Sequence, residues 1–121
     1  MARGNPLFTA VLTGGNLTLP QSQVAASAAG PGGAIPINHA GSSQVTVIWS
    51  AGCTGGQVDV EISDMPNEPA SWWPFQSVTL PGSPLPAASV VQIPFPTQAI
   101  RTNIKQAIAG GTITSNVQAW N

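Results

Sequence analysis

Along residues 44–64, QVTVIWSAGCTGGQVDVEISD, apolar side chains recur at every second position. Val45, Val47 and Trp49 set the period, a small-residue segment (AGCTGG) interrupts it, and Val58, Val60 and Ile62 resume it against Asp59, Glu61 and Ser63. A period of two sends successive side chains to opposite faces of a strand, so the second run has one apolar and one acidic face. Two such runs joined by Gly and Thr predict an antiparallel hairpin with one face buried and the acidic face in solvent.

The same pattern, read from the N-terminus, predicts a leading arm over residues 1–6 and a first strand over 7–13 (LFTAVLT). A turn at Gly14-Gly15-Asn16 follows, with a short return over 17–19. Residues 21–38 are the least regular stretch, because Gly30, Pro31, Gly32, Gly33 and Pro36 prevent a long helix. Within it, residues 24–29 read as a strand and 35–37 as a short extended piece. Pro66, Pro69 and Pro74 predict a rigid irregular connection over 65–74. Residues 75–80, 89–93, 99–107 and 112–120 read as strands, with a proline-rich loop over 81–86. Ile100, Ile104 and Ile108 also fit a helical stripe, but Ile100, Thr102 and Ile104 alternate with Arg101, Asn103 and Lys105. Gly110-Gly111 then predicts a second hairpin.

These elements add up to an all-β chain, an antiparallel β-sandwich of immunoglobulin-like or jelly-roll type with roughly eight or nine short strands and an irregular N-terminal arm. The length of 121 residues suits a single domain, 1–121. Its expected division is an arm with edge strands over 1–43 and a sandwich core over 44–120.

Charge changes this picture more than any motif. Hydrophobic residues make up 42% of the chain but charged residues only 6%, against a usual fraction of about 25%. Arg3, Asp59, Glu61, Asp64, Glu68, Arg101 and Lys105 are the whole ionic supply, with a net charge of −1. A surface so poor in charge has little protection against association, which points to a body shielded by partner protein. Three scattered basic residues argue against nucleic acid. No apolar run reaches the ~18 residues of a membrane helix, and MARGNPLFTAVLTGG lacks the hydrophobic segment of a secretory signal. Synthesis in the cytoplasm without membrane association is the expectation.

Candidate chemistry is sparse. A hydrolytic triad needs a base, and the single His39 sits beside turn residues with no nucleophile motif around it, so a surface turn role is expected. Cys53 has no internal disulfide partner and reads as a small residue near a turn. Asp59, Glu61 and Asp64 have the oxygen chemistry of a calcium site, but a solvated strand face accounts for them more simply. The Gly-Gly pairs lead into no GK[ST] and read as turns. Neither catalysis nor a cofactor is expected. Trp72 and Trp73 point opposite ways if extended, leaving three roles open for one of them: core cap, protein-contact anchor or sugar-stacking platform.

The order of features in the second half is itself a pattern. An apolar strand and Gly-rich turn lead to QVDVEISD, then SWWPFQSVTLPG, IPFPTQAIRTNI and a final GGTITSNVQAWN. This order resembles small β-sandwich structural proteins of tailed bacteriophages, among them capsid decoration or cement proteins and related head and tail modules. The resemblance covers about the last two-thirds of the chain, by strand spacing. It implies a virion protein on the capsid surface that binds the major capsid protein or another virion protein, often as a symmetric homo-oligomer. A tail, baseplate or fibre-associated module and a carbohydrate-binding β-sandwich are the alternatives. Low charge and loop composition select the expected contacts: Arg3, Pro6, Leu7 and Phe8 in the leading segment, Pro31, Ile35 and Ile37 in the Gly/Pro loop, and Trp73 and Trp120.

Overall fold

The chain alternates between two stacked antiparallel sheets, as the computed structural model shows for residues 11–13, 16–18, 20–80 and 86–120. A two-stranded ribbon, β1 (Val11–Thr13) with β2 (Asn16–Thr18), comes first. The next strands are β3 (Gln21–Ala26), β4 (Gly30–Pro31), β5 (Ile35–Pro36), β6 (Ser42–Trp49), β7 (Gly55–Ser63) and β8 (Trp73–Thr79). They are followed by β9 (Ala87–Ile93), β10 (Ala99–Ala109) and β11 (Ile113–Trp120). One sheet has the order β3-β11-β6-β9; the other runs β4-β10-β7-β8, with β5 also paired to β10. No α-helix occurs among the described residues.

Counting β4 and β5 as one interrupted strand, the pairings nest: β7 with β8, β6 with β9, β4/β5 with β10 and β3 with β11. That is one long hairpin rolled up until its two sides close into a sandwich, the jelly-roll arrangement. Of the two sandwich types expected, the jelly roll is therefore the one formed. Its tip is the β7–β8 connection.

Alternation fills the core as the pattern requires. Val45 and Val47 of β6, Val58 and Val60 of β7, Ile100 and Ile104 of β10, and Ile113 and Val117 of β11 are fully buried. Each such Val or Ile side chain contributes about 1.5–3 kcal/mol by leaving water. The first third reaches the core too, because Ile37 and Ala40 are buried there. β3 starts at Gln21 rather than Val24, because it pairs with β11 through a bulged register. The predicted arm over 1–6, residues 7–10 of the first strand and residues 81–85 of the proline-rich loop lie outside the described residues.

Both hairpins expected across glycine-rich turns are corrected by the topology. β6 and β7 lie in different sheets, as do β10 and β11. Each Gly-rich segment is an arch that carries the chain across the sandwich, and the two arches lie side by side. Ser50 N donates to Thr112 O at 2.9 Å, and Thr54 N donates to Ala109 O at 2.8 Å. Thr112 N donates to Ser50 Oγ at 2.9 Å. Cys53 is buried between the arches, its thiol 3.9 Å from Thr112 O. Gly110 has φ +79°, and a Cβ on it would run into the carbonyl oxygen of Gly52. Backbone on both sides leaves no flexible neighbour to give way.

Gly110→Ala is expected to lower unfolding free energy by about 3 kcal/mol, combining left-handed strain with the arch collision. Urea unfolding of the full chain checks this; a loss within half a kcal/mol contradicts the arch packing.

Candidate functional site

The six charged residues within the described part of the chain all belong to β7, β10 or the connection between β7 and β8. Strands β3, β6, β9 and β11 contain none. The two outer faces of the sandwich therefore have different chemistry.

On the five-stranded side, antiparallel register sets Arg101 opposite Glu61 and Asn103 opposite Asp59. Arg101 Nε donates to Glu61 Oε1 at 2.7 Å, and Asn103 Nδ2 donates to Glu61 Oε2 at 3.2 Å. Ser77 Oγ donates to Asp59 Oδ1 at 2.6 Å, and Gln57 Nε2 lies 3.4 Å from the same oxygen. The Arg101 guanidinium sits 4.3 Å from the centre of the Trp72 ring, a cation–π contact. Asp59 and Glu61 are only 6% and 5% exposed. The acidic face is thus a covered hydrogen-bonded network and not the solvated face that alternation suggested. Asp59 Oδ1 and both Glu61 oxygens already accept from protein donors, and among the described residues no three His, Cys, Asp or Glu side chains assemble as a metal set.

The β7–β8 connection is tied down at several points. Ser71 Oγ lies 2.7 Å from both Ser63 Oγ and Glu68 O, and also bonds Met65 O. Trp72 Nε1 donates to Pro66 O at 3.3 Å. A 3-10 turn, Pro69–Ser71, precedes the two tryptophans. Neither tryptophan enters the core. Trp72 is held over Arg101, while Trp73 opens β8 and is 68% exposed. Beside it lies a hollow of about 210 Å³ bounded by Ile62, Asp64, Met65, Ser71 and Thr97. The surface continues past Trp73 to Glu68 and Ala70.

The four-stranded side carries no charged residue. Register aligns Thr114, Ile48 and Ala88 in one row, Asn116, Thr46 and Val90 in the next, and Gln118, Gln44 and Gln92 in a third. Gln21 Nε2 extends the middle row by donating to Asn116 Oδ1 at 3.2 Å. Ile48 and Val90 are exposed among these amides and hydroxyls.

The contacts expected from sequence fall in three places. Arg3, Pro6, Leu7 and Phe8 lie outside the described residues. Pro31 and Trp73 are exposed, and Ile35 is half-buried against the core. Ile37, 1% exposed, and Trp120, 9% exposed, are buried within this chain, so neither is a free surface anchor. Ile37 is turned inward by backbone bonds from residues 37–39 to Gln98 and Thr97. His39 is exposed in that turn at φ +59°. The uncharged face escaped the reading by loops, although the absence of Asp, Glu, Lys and Arg from four strands was visible in the sequence.

Arg101→Ala leaves Glu61 covered without its cation and is expected to cost about 3 kcal/mol. A Glu61→Gln/Arg101→Met double variant should recover most of that loss in urea unfolding, since no unpaired charge remains. Equal losses for the single and double variants would count against the ion pair as the cause.

No protein-family model matches the chain, and no curated protein sequence matches it. Solved structures do share its fold. The SPBc2 prophage-derived protein YomS superposes with a TM-score of 0.58 at 12% identity, over 86% of this chain and 92% of its own. The K2 cleaved adhesin domain of Lys-gingipain gives 0.57 at 11% identity, over 71% of this chain. The chain spans 59% of that domain's length. The K1 cleaved adhesin domain of Lys-gingipain from Porphyromonas gingivalis W83 gives 0.53 at 12% identity, over 91% and 69% of the two chains. At such identities the likeness establishes a common β-sandwich fold.

Proposed function

We propose that this chain is a non-enzymatic bacteriophage virion structural protein that decorates or cements the capsid by binding across neighbouring shell subunits. The observation that carries the reading is the ion-free outer face of β3, β6, β9 and β11. A face of amides, hydroxyls and exposed aliphatics can be covered by protein without stripping water from charges. Binding that favours the assembled lattice stabilises it by mass action. The prophage origin of YomS, a protein of the same fold, is in keeping with a phage setting. A tail, baseplate or fibre-associated position on the particle would use the same face, and particle location separates it from decoration of the head.

A second reading rests on a different observation, the tryptophan left outside the core. Trp73 with its hollow offers a flat aromatic face beside the Asp64 carboxylate, the makings of a sugar-stacking platform.

Thr46→Glu puts a charge at the middle of the uncharged face and is expected to weaken binding to phage shells lacking the protein by about tenfold or more, with the fold retained by circular dichroism. Immunogold labelling of purified particles reports head or tail. Unchanged shell binding by Thr46→Glu would reject this face as the contact. On the glycan reading, a glycan array gives saturable binding that Trp73→Ala removes; a blank array rejects it.

A further inference from the structure

Every open sheet presents unpaired backbone groups at its edges, and natural sandwiches protect them with prolines, bulges, short strands or charges. Three of the four edges of the two stacked sheets are protected. β8 contains Pro74 and faces β7 through a register shift at Val60/Glu61. β4 and β5 are two residues each and carry Pro31 and Pro36. β3 is bulged against β11, bends at Ala25 with φ +45°, and gives its Ser22 carbonyl to Gly33 N.

The fourth edge, β9, is covered by no other strand among the described residues. β9 pairs with β6 over seven residues without a register shift, and it contains neither proline nor charge. Its described residues make no hydrogen bonds besides those with β6. Val90, its midpoint, is 52% exposed. Pro86 and Pro94 bound the strand on either side.

The geometry points to a second copy of this chain as the occupant: β9 pairs with β9 of the partner, antiparallel about a two-fold axis at Val90. An antiparallel pair about a two-fold is self-complementary, so one strand satisfies both partners. β6 and β9 are already antiparallel, and β9 with its copy continues the alternation into one eight-stranded sheet. In this register Val90 faces its copy, Ser89 faces Val91, and Ala88 faces Gln92. No like charges meet, and the inward-facing Val91 and Ile93 continue the core side. A two-fold contact uses up the edge it pairs, and the other three edges of the stacked sheets are protected, so the contact closes at two chains instead of growing into a filament. The pairing names a contact for the self-association expected of a virion protein, but its occurrence does not depend on a shell.

Sedimentation velocity on the full chain over a concentration series is expected to show the mass doubling. Val90→Cys should cross-link to itself under mild oxidation, since directly opposed residues have Cβ atoms about 4.5–5.5 Å apart. The native Cys53 is fully buried and does not compete. Gln92→Cys should stay monomeric on denaturing gels alone and cross-link when mixed with Ala88→Cys. Val90→Lys, at an exposed position, should move the dimerisation midpoint to about tenfold higher concentration or beyond while circular dichroism stays unchanged. A native chain monomeric at every concentration, or a dimer in which Val90→Cys fails to cross-link, overturns the proposal. Shell binding by a monomeric chain would spare the virion reading while removing this one; a dimer that ignores shells does the reverse.

Discussion

Two glycine arches lying against each other hold the sandwich together. Each takes the chain from one sheet to the other, and backbone bonds between Ser50 and Thr112 and between Thr54 and Ala109 lock them side by side, running in opposite directions. Once the arches are side by side, β6 must neighbour β11 in one sheet and β7 must neighbour β10 in the other. Those are the central strand pairs. Everything outside them, including the β7–β8 tip with its tryptophans and the edge strand β9, takes its place from this crossing.

A second set of contacts closes the side where β3 and β4 meet. Thr102 and Ser115 sit at inward positions of facing sheets, their hydroxyls 2.7 Å apart. Ser115 Oγ accepts from Gln23 N at 3.0 Å, and Ser22 Oγ accepts from Thr102 N at 2.9 Å. Ser22 in turn donates to Gly33 O at 2.7 Å. Buried hydroxyls are costly only when left unpaired, and here each has a partner. The seam ties residues 22–33 to both sheets.

The distribution of charge follows from the same architecture. Cross-strand register on β7 and β10 brings Glu61, Arg101, Asp59 and Asn103 together, and Trp72 stacks on Arg101. The charged residues among the described ones lie on this side, where Arg101 pairs with Glu61, leaving the opposite face to amides, hydroxyls and aliphatics. The two outer faces therefore differ in kind, one built on an ion pair and its hydrogen bonds, the other on uncharged groups alone.

The central strands and their inward residues are legible in the sequence, because strict alternation puts one set of side chains on one face of a pleated strand. Val45, Val47, Val58, Val60, Ile100 and Ile104 are buried where that period places them. The period says nothing about which sheet a strand joins. A short Gly-rich segment can close a hairpin or arch between sheets, and the choice depends on what lies beside it. For residues 50–54 the deciding neighbour is residues 109–112, some sixty positions away in the chain. The same holds for Asp59 and Glu61, whose outward direction followed from alternation but whose hydrogen-bond partners Ser77, Arg101 and Asn103 arrive from β8 and β10. Local chemistry chose the strands and their faces; long-range packing chose the partners, and with them which surfaces stayed open.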